Sequence, residues 1–262
     1  FERALEILEE ASPENKSAFE SLKGKKELSL NDYYTFVSET ESITKEAKNV
    51  AEISKEISEQ KAEIARQQSV IETLLPWKEL DLPFSYKGTK NVSAVFGTYP
   101  EQKNEEEIYK LYNDAVSKQG EDPEKFPIDA EIIKKDENLT YAAIFFKKDR
   151  GGKTEEFLRL SGFSKTQFGY SKTPPEVISD AENAIKNSKE RISELEKKLK
   201  NACGMRNAFK FMADYYAMRL EKYKVLSKIN HIGDVFILNG FVPKNEAKNL
   251  EAEFVNKYNA AV

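Results

Sequence analysis

The sequence predicts an α+β fold: a long antiparallel two-helix coiled coil, a βαββαβ lobe at one end of it, and a partial second α/β lobe at the other. Three observations predict it. Apolar residues recur every seventh position over two long stretches, strand and helix patterns alternate between those stretches, and a single strand followed by a single helix closes the chain. Charged residues make up 33% of the 262 and hydrophobic ones only 39%; an average soluble protein carries about 25% charged residues. That balance suits an elongated, helix-rich molecule better than a sphere.

The first arm is expected over residues 29–79. Phe36, Ile43, Val50, Ile57, Ile64 and Ile71 share one heptad position, with mostly charged residues between them. Ser29 with Asp32 three residues on is a capping-box start, and Pro76 stops the helix just after Leu75. The second arm is expected over residues 173–232. Ala181, Leu195, Ala202, Phe209, Tyr216 and Tyr223 hold one heptad position, and Ile178, Ile185, Ile192, Leu199, Ala213 and Leu220 hold the other. Thr173 followed by Pro174, Pro175 and Glu176 is a strong helix start. Unbroken helices over these heptad stretches would run about 70 and about 84 Å. Gly204 costs about 1 kcal/mol relative to Ala inside a helix and marks a kink or a close contact.

Residues 80–172 read as "NVSAVFGTY" strand, "NEEEIYKLYNDAVSK" helix, "DAEIIKKD" and "LTYAAIFFKK" as a hairpin, "KTEEFLRLSGF" helix and "KTQFGY" strand. This βαββαβ order is the split-βαβ, ferredoxin-like pattern, with both helices on one face of a four-stranded antiparallel sheet. One arm enters this distal lobe and the other leaves it, so the arms should be antiparallel, with Ile57 near Ile192. Residues 1–28 are expected to be a short helix and loop on the proximal end of the shaft. There Phe1, Leu5 and Leu8 would meet Phe209, Phe211, Met212, Tyr215 and Tyr216 in a local three-helix bundle, because a two-helix seam cannot cover an apolar surface that wide. Residues 233–262 form the partial proximal lobe, a strand at Val235–Asn239 and a helix, and that strand has no evident partner.

The composition excludes several functions. Basic and acidic residues number 41 and 45 and are interleaved, which leaves no basic stripe for nucleic acid. The lone Cys203 rules out an internal disulfide and the lone His231 a His-rich metal site. The longest apolar run, Tyr141 to Phe146, falls far short of the ~20 residues that cross a bilayer. The chain opens at Phe1 rather than Met and stops inside a helical pattern, so a piece of a larger protein is expected.

No motif carries chemistry. "RGGKTEE" contains Gly-Lys-Thr, but a phosphate-binding loop needs Gly five residues before Gly152, where Lys147 stands. "GTKNVSAVFGTYP" is not a dinucleotide fingerprint. Glu105 and Glu106 sit at a helix start, where the helix dipole explains them. Cys203 reads as an inert packed thiol beside the seam residue Ala202, and His231, next to Gly233, as the end of the second arm. Asn91 and Asn138 head glycosylation sequons without meaning in a cytosolic chain. No catalytic, cofactor-binding or metal-ligating residue is assigned.

Four stretches carry a resemblance. "LLPWKELDLPFS" ends the first arm, "AVFGTYP" is the first lobe strand, "GYSKTPPE" leads into the second arm and "VFILNGFVPKNEAKNLE" closes the chain. In this order and spacing they resemble the cytoplasmic N-terminal domain of subunit I of V-type (V/A-type) ATPases, the counterpart of the eukaryotic a subunit. Phe241 stands where that family's pattern has Trp, which keeps an aromatic anchor. The resemblance implies a dumbbell of two lobes on a helical shaft, with the strand at Val235–Asn239 completed by strands encoded before Phe1. It also implies a non-catalytic stator part, without cofactor, of an ion pump that moves protons or sodium. In such a pump the distal lobe binds a peripheral-stalk heterodimer, the proximal end lies near a second stalk and other subunits, and the whole sits at the cytoplasmic face of the membrane without inserting into it. A free coiled-coil scaffold with SMC-like arms fits the heptads equally well but would want a dimerising, often glycine-rich middle domain and a nucleotide-binding head. An enzyme with a tRNA-binding helical arm would want a catalytic motif and a basic face.

Overall fold

A computed structural model of the chain describes residues 1–14, 28–232, 235–237, 240–258 and 260. Its first helices are α1 (Glu2–Ala11), α2 (Leu30–Ser38) and α3 (Thr40–Leu74). Then come β1 (Val92–Pro100), α4 (Glu105–Lys118), β2 (Ile128–Lys135), β3 (Leu139–Lys147), α5 (Gly151–Leu160) and β4 (Ser164–Lys165). The last part holds α6 (Pro174–Ala202), α7 (Arg206–Leu226), β5 (Asn230–Ile232), β6 (Val235–Ile237) and α8 (Ala247–Tyr258). Helices and a four-stranded antiparallel sheet together make an α+β fold. The chain divides into two compact units, Asn49–Cys203 and Phe1–Lys48 with Gly204–Val262.

In the unit Asn49–Cys203 the sheet has the order β2-β3-β1-β4. β1 pairs with β3 along its whole length, from Val92 opposite Lys147 to Pro100 opposite Leu139. Alternation along β1 sends Val95 and Tyr99 to one face and Phe96 to the other. The first face is covered by α4 and α5, whose Ile108, Tyr112, Val116, Phe157 and Leu158 pack with Ile144 and Phe146. α4 starts at a full capping box: Glu107 N–H donates to Asn104 Oδ1 at 2.8 Å, and Asn104 N–H donates to Glu107 Oε2 at 2.8 Å. On the second face Trp77 and Leu80 pack with Phe96, Tyr141 and Ala143, with Phe84 and Phe168 against them.

The expected last lobe strand, 165–170, is cut to Ser164–Lys165. After Thr166 N–H donates to Phe96 O at 2.8 Å, the chain leaves the sheet edge so that Phe168 can lie 4.6 Å from the Phe84 ring. Gly97 permits even this short pairing, because a Cβ there would stand 2.3 Å from Ser164 O.

α3 and α6 flank the lobe. Thr173 begins α6, its backbone N–H and hydroxyl both donating to Glu176 Oε2 at 2.9 Å. α6 contacts the short turn Leu75–Trp77, and Arg191 Nε donates to Glu56 Oε1 at 2.7 Å, one residue from each member of the expected Ile57 and Ile192 pair. Val50, Ile53, Ile57 and Leu74 of α3 and Ile178, Ala181, Leu195 and Leu199 of α6 are buried, while Ile64, Ile71, Ile185 and Ile192 are half-buried.

The first arm is not one helix. It breaks at Glu39, between α2 and α3. The stretch is dense in Ser and Thr, and their hydroxyls take backbone carbonyls: Thr35 from Asn31 at 2.9 Å, Ser38 from Thr35 at 2.8 Å, Thr40 from Val37 at 2.8 Å. Such back-bonding competes with the helix's own ladder. The second arm breaks too, at Cys203–Met205 around Gly204. A Cβ on Gly204 would meet nothing within 4 Å, so this glycine marks the break and not a close helix contact.

The unit Phe1–Lys48 with Gly204–Val262 packs α1 and α2 against α7. The face of α1 that is buried is Ala4, Ile7 and Leu8, a shift from the expected Phe1, Leu5 and Leu8. Phe1 does meet two of its expected partners, the Phe209 ring at 6.2 Å and the Tyr216 ring, on which it stacks, at 5.9 Å, and Tyr33 and Phe36 of α2 meet Phe211 at 5.6 and 5.0 Å.

At the C-terminal end two expectations are corrected. The second arm stops at Leu226, and His231 lies in β5 rather than at a helix end. β6, expected to have no evident partner in the chain, pairs antiparallel with β5, Ile232 opposite Val235. β5 falls where the heptad reading had expected the end of the second arm. Leu238 and Asn239 of the expected strand lie outside the described residues. No described helix is long and apolar enough to cross a membrane.

Candidate functional site

Several of the polar residues flagged in the sequence make contacts that hold the fold. Lys153 of the Gly-Lys-Thr stretch donates to Glu121 Oε1 at 2.7 Å and lies over the Phe126 ring, and Thr154, buried, donates to Arg150 O at 3.1 Å. The Lys153 ammonium holds the Glu121 carboxyl below its ordinary range. Lys147 closes β3, and Glu105 and Glu106 occupy the first turn of α4. Cys203 Sγ donates to Leu199 O at 3.5 Å. Asn91 and Asn138 lend their carbonyls to Lys148 N–H and Glu101 N–H. Among the described residues no group of three His, Cys, Asp or Glu is placed to hold a metal.

The perturbed titratable groups of the lobe are structural as well. Asp136 accepts from the backbone N–H of Asn138 and Leu139 and from the Tyr141 hydroxyl, at 2.9, 2.7 and 2.8 Å, and so pins the turn between β2 and β3. Those bonds, that of Asn138 foremost, hold its carboxyl below the usual range. Burial pushes the Tyr141 hydroxyl up to about 12, reinforced by Asp136. Tyr112, whose hydroxyl donates to Phe126 O at 3.0 Å, is also pushed up to about 12 by burial.

Two features that the sequence reading missed lie in the other unit. The first is Arg206, buried at the start of α7. Its Nη2 donates to Leu8 O and Ser12 O, closing the C-terminal end of α1. Glu9 and Glu14 stand 3.9 and 3.7 Å from the guanidinium, and Lys210 donates to Glu14 at 2.9 Å. A cleft of ≈ 550 Å³ opens over Arg206 and Lys210, rimmed by Glu6, Glu9 and Glu10. An Arg close before the mostly apolar stretch 208–212 was the available signal. The second feature is Arg219, which donates to the Tyr215 hydroxyl at 2.8 Å and the Tyr223 hydroxyl at 3.2 Å and lies over both rings. Neither places a nucleophile beside a base.

A scan against protein-family models and a search of curated proteins return no match. Among solved structures, the chain is similar to the crystal structure of the cytoplasmic N-terminal domain of subunit I, homolog of subunit a, of V-ATPase. The identity is 14%, the match covers 97% of this chain and 80% of that one, and the TM-score is 0.37, a likeness too distant to carry function.

Proposed function

We propose that this chain is the non-catalytic stator part of a rotary V-type ATPase, the cytoplasmic domain of its subunit I. The reading rests on the four sequence stretches described above, and one structural observation carries it further. Two of those stretches meet beneath the sheet, where Trp77 and Leu80 pack with Phe96, and α6, which the Thr173–Glu176 cap of a third stretch begins, contacts the turn Leu75–Trp77. Motifs far apart in the chain thus serve one mechanical joint. A joint of buried aromatic and aliphatic side chains transmits load with little give, because protein interiors are close-packed.

On this reading the order β2-β3-β1-β4 is that of a ferredoxin-like distal lobe, residues 80–172, and the paired heptads of residues 29–79 and 173–232 are coiled-coil arms. Residues 1–28 and 233–262 belong to the proximal end. The distal lobe binds the peripheral-stalk heterodimer, the proximal end lies near a second stalk, and the domain works at the cytoplasmic face of the membrane. Its role is to resist torque and couple the stalks to a membrane half that moves protons or sodium. The test is capture of the folded full-length chain by a purified V-type peripheral-stalk heterodimer. Saturable binding is expected; a chain shown folded by circular dichroism that the heterodimer leaves in solution sinks the reading.

A further inference from the structure

The apolar stripe of α7 continues past the helices that bury it. Phe209 and Met212 are fully buried. One heptad on, Phe1 stacks on Tyr216 and Tyr33 meets Tyr215, and both covering helices have reached their first turns there. α7 itself runs on to Leu226, about 15 Å further at 1.5 Å per residue. Along that stretch the stripe carries Leu220, Tyr223 and Leu226, which are 55%, 56% and 49% exposed. Arg219, held between the Tyr215 and Tyr223 hydroxyls, is fixed in place beside them. Tyrosine and arginine presented in one rigid arrangement are the residues that dominate binding energy at protein interfaces, and little entropy remains to be lost when such a surface binds.

The helix that covers the first half of the face indicates what fits the second. α1 is a short acidic amphipathic helix, with Glu2, Glu6, Glu9 and Glu10 against Arg3. It lies antiparallel to α7, Phe1 at Tyr216 and Leu8 at Arg206, with Arg206 and Lys210 of α7 reaching carboxylates at its end. Past Tyr216 the charge on α7 and the turn after it grows more positive: Arg219, Lys222, Lys224 and Lys228 against Glu221. We propose that the face from Tyr216 to Leu226 docks an acidic amphipathic helix of a partner chain, laid in line with α1 and in the same direction. A second copy of this chain is the poorer occupant, because an isologous contact would bring the two basic faces together. The inference is independent of the stator reading, since its test uses no rotary-ATPase subunit.

The probe is a fluorescein-labelled peptide of the chain's own acidic helix, FERALEILEEASPE, titrated with the full-length protein and followed by anisotropy. Saturable binding is expected that weakens with salt, is lost when the glutamates of the peptide are replaced by lysines, and weakens at least about tenfold in the Leu220→Asp/Tyr223→Asp variant. Both positions are exposed, so that variant should keep the circular dichroism of the parent. Four results overturn the proposal: no saturation by the acidic peptide, undiminished binding to the double variant (as when the peptide merely displaces α1), self-association by sedimentation that the double variant abolishes without peptide binding, or adsorption to phosphatidylserine vesicles in place of peptide binding.

Discussion

Replacing Trp77 by Ala tests the joint on which the functional reading rests. The side chain is 2% exposed, and its ring meets Phe84 edge-on at 5.2 Å and Tyr141 at 5.3 Å. A tryptophan that buries about 200 Å² contributes about 5 kcal/mol at ~25 cal/mol per Å², an upper figure, and measured Trp→Ala losses in cores are about 3–5 kcal/mol. With a urea dependence of about 2 kcal/mol per M, the unfolding midpoint of the lobe should fall by about 2 M. Trp77 is the only tryptophan, so the variant must be followed by far-UV circular dichroism rather than tryptophan fluorescence. Trp77→Phe, which retains an aromatic ring, should fall less. A shift below about 0.5 M for Trp77→Ala, at unchanged slope, would show that the second face of the sheet does not depend on this side chain.

Two further outcomes follow from the described contacts. Arg206→Met removes the guanidinium that caps Leu8 O and Ser12 O, a loss of about 1.5–3 kcal/mol for charge-assisted bonds; amide exchange over α1 should quicken by about ten- to hundredfold, and unchanged protection would refute the cap. Tyr112 and Tyr141 are both pushed up to about 12 by burial, whereas an unfolded tyrosine ionises near about 10. Above pH ~10 the unfolded chain therefore loses these protons first, so the stability the pair confers is full below pH ~10 and is lost as pH rises through about 12. Melting temperatures measured across that window should fall less steeply in a Tyr112→Phe/Tyr141→Phe variant, and parallel curves would refute the assignment.

The legible parts of this fold were those set by short-range chemistry. Heptad spacing marked Val50, Ile57, Ile178, Ala181, Leu195 and Leu199 as buried residues, and the caps at Asn104 and Thr173 started helices where the sequence put them. The apolar stretches "AVFGTY" and "LTYAAIFF" marked the two central strands, which pair along their full length. The candidate surfaces were less legible. Tyr215 and Tyr216 stood out as apolar excess on a helix and Tyr223 as a heptad position, but nothing local distinguishes a tyrosine awaiting a cover from one already covered.

The sequence by itself determined most of the helix and strand segments and which of their faces are apolar, because periodicity and capping act over a few residues. Only the tertiary structure decided where those segments stop and what meets their faces. Phe168 leaves the sheet edge for a ring that lies far from it in the chain, and Arg206 is drawn to carbonyls at the other end of the sequence. Each of these outcomes is a competition between partners widely separated along the chain, and such a competition is settled by packing and hydrogen-bond satisfaction in three dimensions.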